Sequence, residues 1–193
     1  IILFFLCLKN NEIEERINFN GEIIKRLDET GLIKVAKKIE KSGVETLAIV
    51  FMHSFKNAIH EKLAKKIIEA HVPNLNICLS SIVSPEIGEY ERTSTSVANA
   101  YVQPIFKSYV TSLVKGLKKI GITTDLFLML SDGGIVHQKT AIEFPIRLVQ
   151  SGPAGGAQAA TLYGKILKQN NISSAILGIK SSNQIADNWS AII

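Results

Sequence analysis

The run Thr46-Leu-Ala-Ile-Val-Phe51 limits the possible folds more than any other feature of this chain of 193 residues. It has no polar alternation, so as a strand it needs cover on both faces, which a sheet flanked by helices provides. The neighbouring segments carry helical periodicity. Between Thr30 and Ser42 the apolar residues Leu32, Val35, Ala36 and Ile39 recur at turn spacing, with Gly43 as a natural stop. From Ala58 to Ala70, Leu63, Ala64, Ile67 and Ile68 do the same, and Asn76-Ile-Cys-Leu79 follows as a short strand.

The rhythm continues along the chain. Ile17–Phe19 and Glu22–Ile24 flank Asn20-Gly21, a pair suited to a tight hairpin. A long helical stretch is expected from Ser94 to Ile120, with Val97, Tyr101, Leu113 and Leu117 inward, kinked or split by Pro104 and ended by Gly121. Strands are expected at Leu126–Leu130, Ile146–Gln150 and Ala175–Ile179, with helices over Thr140–Glu143 and from the Ser151–Gly156 loop to about Lys168. Strands alternating with helices give an α/β class, a mixed sheet with helices on its faces. The self-contained βαβ unit suggests a boundary near Ser81–Pro85.

Composition narrows the function classes. The net charge of +5 comes from lysines placed opposite the apolar stripes, such as Lys34, Lys37, Lys38 and Lys41, which is the pattern of a solvated face. No aromatic platforms interleave with them, so nucleic acid is not an expected partner. The apolar end Ile1–Leu8 is far shorter than the roughly 20 residues of a membrane span and lacks a basic leader, so no membrane role is expected. That end reads as a strand separated from its sheet or as sequence foreign to the fold. Cys7 and Cys78 have neither metal-ligand spacing nor a disulfide framework, which suits a reducing, cytoplasmic setting.

Several groups of residues are candidates for chemistry. Ser151-Gly-Pro-Ala-Gly-Gly156, between an expected strand and helix, suits either a backbone cradle for phosphate or a tight turn under close helix–sheet packing. Ser131-Asp-Gly-Gly134 follows another strand, where α/β sheets gather ligands, and Asp132 could hold a hydrated metal or simply form the turn. The candidate ligand-binding residues are therefore Ser131, Asp132, Gly133, Gly134, Ser151, Gly152, Gly155 and Gly156. His53, His60 and Glu61 form a metal-like group that also reads as strand-end and helix-cap polar residues. Glu86, Glu89, Glu91 and Arg92 suit an ion-pair network better than acid–base work. No serine has the setting of a nucleophile, and no acid, base or nucleophile is assigned.

Taken in order, Gly43–Ser54, His60-Glu61, Ser84-Pro-Glu86, Glu89-Tyr-Glu-Arg-Thr-Ser-Thr95, Asn99-Ala-Tyr101, Ser131–Gly134 and Ser151–Gly156 resemble the motifs of the hydantoinase/5-oxoprolinase family. That family includes N-methylhydantoinase large subunits and acetone-carboxylase subunits. The resemblance runs from about Glu12 to Ile179. It implies part of an actin/Hsp70-like (ribonuclease H-like) nucleotide-binding fold, ATP with Mg²⁺ as cofactors, and a cyclic amide as small-molecule substrate. A hydantoinase B-type second subunit or domain is an implied partner. Residues 12–83 then correspond to the C-terminal part of the family's N-terminal domain and 84–179 to the start of its core domain. Residues 1–11 are left unassigned and 180–193 form a divergent tail.

The family's two glycine-rich "D-GGT" phosphate loops have no counterpart before Glu12 or after Ile179, where Lys180-Ser-Ser-Asn stands instead. The expectation is an internal fragment of an ATP-dependent cyclic-amide hydrolase, inactive as this chain. The alternatives are a non-catalytic binding or subunit-contact module and a truncated gene product.

Overall fold

The computed structural model describes residues 2–5 and 10–166, and the expected strand Ala175–Ile179 and the tail 180–193 lie outside the described residues. The chain divides into two compact units, Ile1–Tyr109 and Val110–Ile193.

The first unit is built on a four-stranded mixed sheet. Its strands are β1 (Ile2–Phe5), β2 (Asn10–Asn11), β5 (Thr46–Val50) and β6 (Asn76–Leu79), in the order β2-β1-β5-β6. The apolar N-terminal end supplies β1, which pairs antiparallel with β5 through Ile2↔Val50 to Phe5↔Leu47. β5 and β6 are parallel, Leu47 opposite Ile77 and Ile49 opposite Leu79. Every residue of β5 is buried, as its uninterrupted apolar run requires.

Between these strands, β3 (Arg16–Ile17) and β4 (Ile23–Lys25) form a hairpin paired through Ile17↔Ile23. Its turn is wider than the Asn20-Gly21 pair suggests. The Asn18 carboxamide accepts the N–H groups of Asn20 and Glu22, at 3.0 and 2.9 Å, and draws 18–22 out of the ladder. Gly21 takes φ +88° within that turn.

Helix α1 (Glu29–Ser42) buries Leu32, Val35, Ala36 and Ile39, the stripe expected from the sequence. Asp28 caps its start by accepting Gly31 N–H at 3.0 Å, and Gly43 ends it in the left-handed region at φ +67°. Helix α2 (Ile59–His71) packs with α1, and both join β5 in one core with Leu47, Ile49, Phe51, Ala64, Ile68 and Leu79. Each large apolar side chain fully buried there contributes about 1.5–3 kcal/mol.

After β6 come the single turn α3 (Ser80–Val83) and the long helix α4 (Glu89–Lys119). Pro104 lies inside α4 without dividing it, since one missing N–H removes a single bond from a helix of 31 residues. The part of α4 in the first unit is not buried through the expected apolar stripe. Arg92, Ser96, Asn99 and Ala100 face inward, while Tyr101 is 58% exposed.

In the second unit, β7 (Phe127–Met129) and β8 (Ile135–His137) form an antiparallel hairpin, followed by α5 (Gln138–Glu143). The expected strand Ile146–Gln150 is instead a 3₁₀ turn, Pro145–Leu148. Pro145 has no N–H for a ladder and its fixed φ suits the start of a helical turn. Helix α6 (Ser151–Ile166) begins at Ser151, so Ser151–Gly156 forms its first turns and not a loop before it.

Asp28 makes the α1 cap titratable. The Gly31 N–H, then the Thr30 hydroxyl and the Lys34 charge, hold its carboxyl below the ordinary aspartate value. The cap's contribution is therefore complete above the unfolded value of about 4 and is lost as pH falls through the lowered folded value. Thermal melts should show Asp28→Ala less stable than wild type at neutral pH, with the gap closing in acid. A gap undiminished at roughly pH 2 would contradict the cap.

Candidate functional site

At the carboxyl end of β5 the chain gathers polar side chains that the core would otherwise exclude. Glu61, on the first turn of α2, is fully buried. Its carboxylate accepts from Phe51 N–H at 3.2 Å, the Ser80 hydroxyl at 2.5 Å, and Ser81 through both N–H at 3.0 Å and hydroxyl at 2.6 Å. A buried anion is tolerable with such a set of donors.

Arg92, also fully buried, comes from α4 to the same place. One arm of its guanidinium donates to the Ser54 and Ser80 hydroxyls, the other to the Phe51 carbonyl at 2.9 Å and to Glu89. Its Cζ lies 5.6 Å from the centre of the Phe55 ring. The second Glu89 oxygen accepts His53 N–H at 3.2 Å. Ser80 thus donates to Glu61 while accepting from Arg92, so the cation and the buried anion share one hydroxyl. Ser54 and Ser80 are both hydrogen-bonded and buried.

His53, His60 and Glu61 are not brought together as ligands. His60 pairs instead with Glu15, Nδ1 to Oε2 at 2.7 Å, both buried. The other Glu15 oxygen is buried with no hydrogen-bond partner among the described residues. His53 lies on the turn after β5 with φ +57°. Among the described residues no group of three or more His, Cys, Asp and Glu side chains is arranged to hold a metal ion. Glu61 has a different task, because its four accepted bonds tie β5, α2 and α3 together.

Glu15, Ser54, Ser80 and Ser81 escaped sequence reasoning. The usable signal was polar residues at Arg92, Ser96 and Asn99, helical spacing on a face opposite Tyr90 and Tyr101, which are 81% and 58% exposed. Asn99 extends that face by donating to the Cys78 sulfur at 3.5 Å.

The second unit brings the two glycine-bearing motifs into contact. Ser131–Gly134 forms the β7–β8 turn, with Gly133 at φ +85° and the Asp132 carboxylate accepting Gly134 N–H at 2.8 Å. The Ser131 hydroxyl accepts Gln150 N–H at 3.0 Å just before α6, and Gln158 of α6 donates to the Gly133 carbonyl at 2.7 Å. Gly155 allows close packing, since a Cβ there would lie 3.1 Å from the Met129 sulfur. A Cβ at Gly152 would meet nothing within 4 Å, so the amino end of α6 is open. Asp132 is exposed there with one oxygen outside the turn bond. Pro153 has no N–H and the Ala154 N–H donates to the Gln150 carbonyl at 3.3 Å, which leaves the Ser151 and Gly152 N–H groups and the exposed Asp132 carboxylate as the groups there suited to a phosphate and a hydrated cation.

Removing Arg92 would leave the Ser54 and Ser80 hydroxyls, the Phe51 carbonyl and Glu89 without its donors. Urea unfolding should show Arg92→Ala less stable by roughly 1–3 kcal/mol for each buried partner left unpaired. Arg92→Lys keeps the charge but not the planar fork, and should recover less than half of the loss. A loss under about 1 kcal/mol for Arg92→Ala would contradict the network.

Comparison with known proteins gives these motifs a context. Residues 5–72 match the hydantoinase/oxoprolinase N-terminal region and residues 92–176 match hydantoinase/oxoprolinase. An uncharacterized protein of Methanocaldococcus jannaschii is 44% identical over 83% of this chain and 24% of its own length. The 5-oxoprolinase of Saccharomyces cerevisiae is 35% identical over 88% of this chain and 13% of its own. The crystal structure of the ATP-dependent caprolactamase from Pseudomonas jessenii superposes with a TM-score of 0.73 and 27% identity, over 80% of this chain and 22% of that one. The chain thus spans no more than about a quarter of these relatives' length. Its mixed sheet with flanking helices is the α/β, actin-like ATPase class, in the part that these residues cover. With both matched regions in one family and in chain order, this protein belongs to the hydantoinase/oxoprolinase family.

Proposed function

We propose that this chain is part of an ATP-dependent enzyme that opens a cyclic amide of the hydantoin or 5-oxoproline type. The observation that carries the proposal is the pairing of Ser131–Gly134 with the amino end of α6 through the Ser131 and Gln158 hydrogen bonds. The 5-oxoprolinase and ATP-dependent caprolactamase likenesses support the substrate class. Residues 12–83 fall to the family's N-terminal domain and 84–179 to the start of its core domain.

Within this reading, Ser151 and Gly152 offer backbone N–H groups to a phosphate at the helix start, while Gly155 and Gly156, expected there from the sequence, lie past the first turn, where Gly155 lets α6 pack on Met129. Gly133 and Gly134 allow the turn that holds Asp132, whose carboxylate would meet the hydrated Mg²⁺. When bound, ATP would phosphorylate the amide oxygen, so that water adds to the ring carbon, the C–N bond breaks and phosphate departs. A second, hydantoinase B-type subunit or domain is the proposed partner.

These 193 residues are proposed to bind nucleotide weakly and to lack turnover on their own. Lys180-Ser-Ser-Asn stands where the family's second phosphate loop is expected, and the same observation supports a binding or subunit-contact module as the second reading.

Fluorescent-nucleotide titration of the purified chain with Mg²⁺ should give weak, saturable binding. Asp132→Ala and Gly152→Val should each weaken it by about tenfold, a change of about 1.4 kcal/mol. Binding unchanged in both variants would sink the nucleotide assignment. Magnesium-dependent phosphate release by the chain alone would overturn its inactivity.

A further inference from the structure

We propose that His53 is a ligand-contacting residue, its imidazole held at the carboxyl end of β5 to hydrogen-bond the carbonyl oxygen of a neutral small molecule. The inference rests on the reading above that the substrate is a carbonyl compound. It begins from the backbone. Among the described residues His53 is the only non-glycine residue with positive φ, at +57°, a conformation that costs a side-chain-bearing residue free energy.

The surroundings hold that conformation from several directions. Glu89 accepts the His53 N–H, and the His53 carbonyl accepts Lys56 N–H at 2.9 Å and Asn57 N–H at 3.2 Å. Phe51, two residues earlier, is fixed by Glu61 at its N–H and by Arg92 at its carbonyl. None of these bonds uses the imidazole. The ring is half-buried, sits edge-on to Phe55 with centroids 6.1 Å apart, and makes no hydrogen bond within the described residues. A glycine would satisfy the same backbone with less strain. The histidine therefore adds an oriented donor and acceptor that the fold itself does not use.

Its position and surroundings suggest the class of ligand. β5 and β6 are parallel, and ligands of open α/β sheets gather beyond the carboxyl ends of such strands. The Glu89 carboxylate that accepts the His53 N–H is itself paired with Arg92, so the two together carry no net charge beside the turn. With no net positive charge from that pair to hold a phosphate or carboxylate, a neutral carbonyl is the better match.

The test uses the 193-residue chain with 2-pyrrolidone as a neutral probe and acetate as an anionic one, following the His53 ring protons by NMR. Wild type should show a saturable shift with 2-pyrrolidone and none with acetate. His53→Gly and His53→Asn, both tolerant of positive φ, should weaken 2-pyrrolidone binding at least tenfold, with melting temperatures unchanged or raised. No saturable shift in wild type, a stronger response to acetate, equal binding by the variants, or a fall in both melting temperatures would each overturn the proposal. Nucleotide titration of the same variants separates the two proposals. Unchanged nucleotide binding with lost lactam binding supports His53 as a substrate contact, whereas intact lactam binding without any nucleotide binding would sink the ATP reading instead.

Discussion

The first unit depends on a buried guanidinium reaching a buried carboxylate through a shared hydroxyl. Arg92 and Glu61 belong to different helices, and Ser80 lies between them at the end of β6. Either charge alone in that core would be costly, because taking an ion out of water costs several kcal/mol even after relaxation. Together with Ser54, Ser81, Glu89 and the Phe51 backbone they satisfy most of one another's polar atoms. Among the described residues the buried Arg92 Nε has no hydrogen-bond partner. The bonds join the end of β5, the start of α2, the start of α3 and the start of α4. Moving any one of these elements would break bonds to the others. Apolar packing, which tolerates repacking, gives less specificity of register than such a network.

This arrangement explains why motifs distant in the chain carry the family resemblance. In sequence His53, His60 and Glu61 read as a metal-like group or as strand-end and helix-cap residues, and Glu86, Glu89, Glu91 and Arg92 as a separate ion-pair network. In the fold Ser54, Glu61, Glu89 and Arg92 meet in one network, and His60 forms a separate buried pair with Glu15. Most of these residues position the turn after β5. His53 differs, because its backbone is held while its ring is not otherwise employed. In the second unit the Ser131–Gly134 and Ser151–Gly156 motifs meet through the Ser131 and Gln158 hydrogen bonds.

Much of the first unit was legible in the sequence because its elements have strong periodicity. The stripe of α1, the unbroken run of β5 and the glycine stop at Gly43 each have a single reasonable interpretation. The inward direction of α4's polar face was missed, because hydrophobic periodicity assigns Arg92, Ser96 and Asn99 to solvent, although their helical spacing marks them as one face. Tyr101 was misjudged for the same reason. Ile146–Gln150 has strand-like composition, but Pro145 starts a helical turn there and Ser131 takes the Arg147 carbonyl at 2.7 Å. Ser151–Gly156 has loop-like composition, yet Pro153 is acceptable in the first turn of a helix, where its N–H would have no intrahelical acceptor.

The central claim is that the Arg92–Glu61 network is closed and dry in the folded chain. Amide hydrogen exchange of Phe51 and Ser81, whose N–H groups both donate to Glu61, tests it most directly. Both amides should exchange only through global unfolding, as slowly as the slowest amides of the β5 core. Exchange of either at the rate of an exposed loop amide would contradict it.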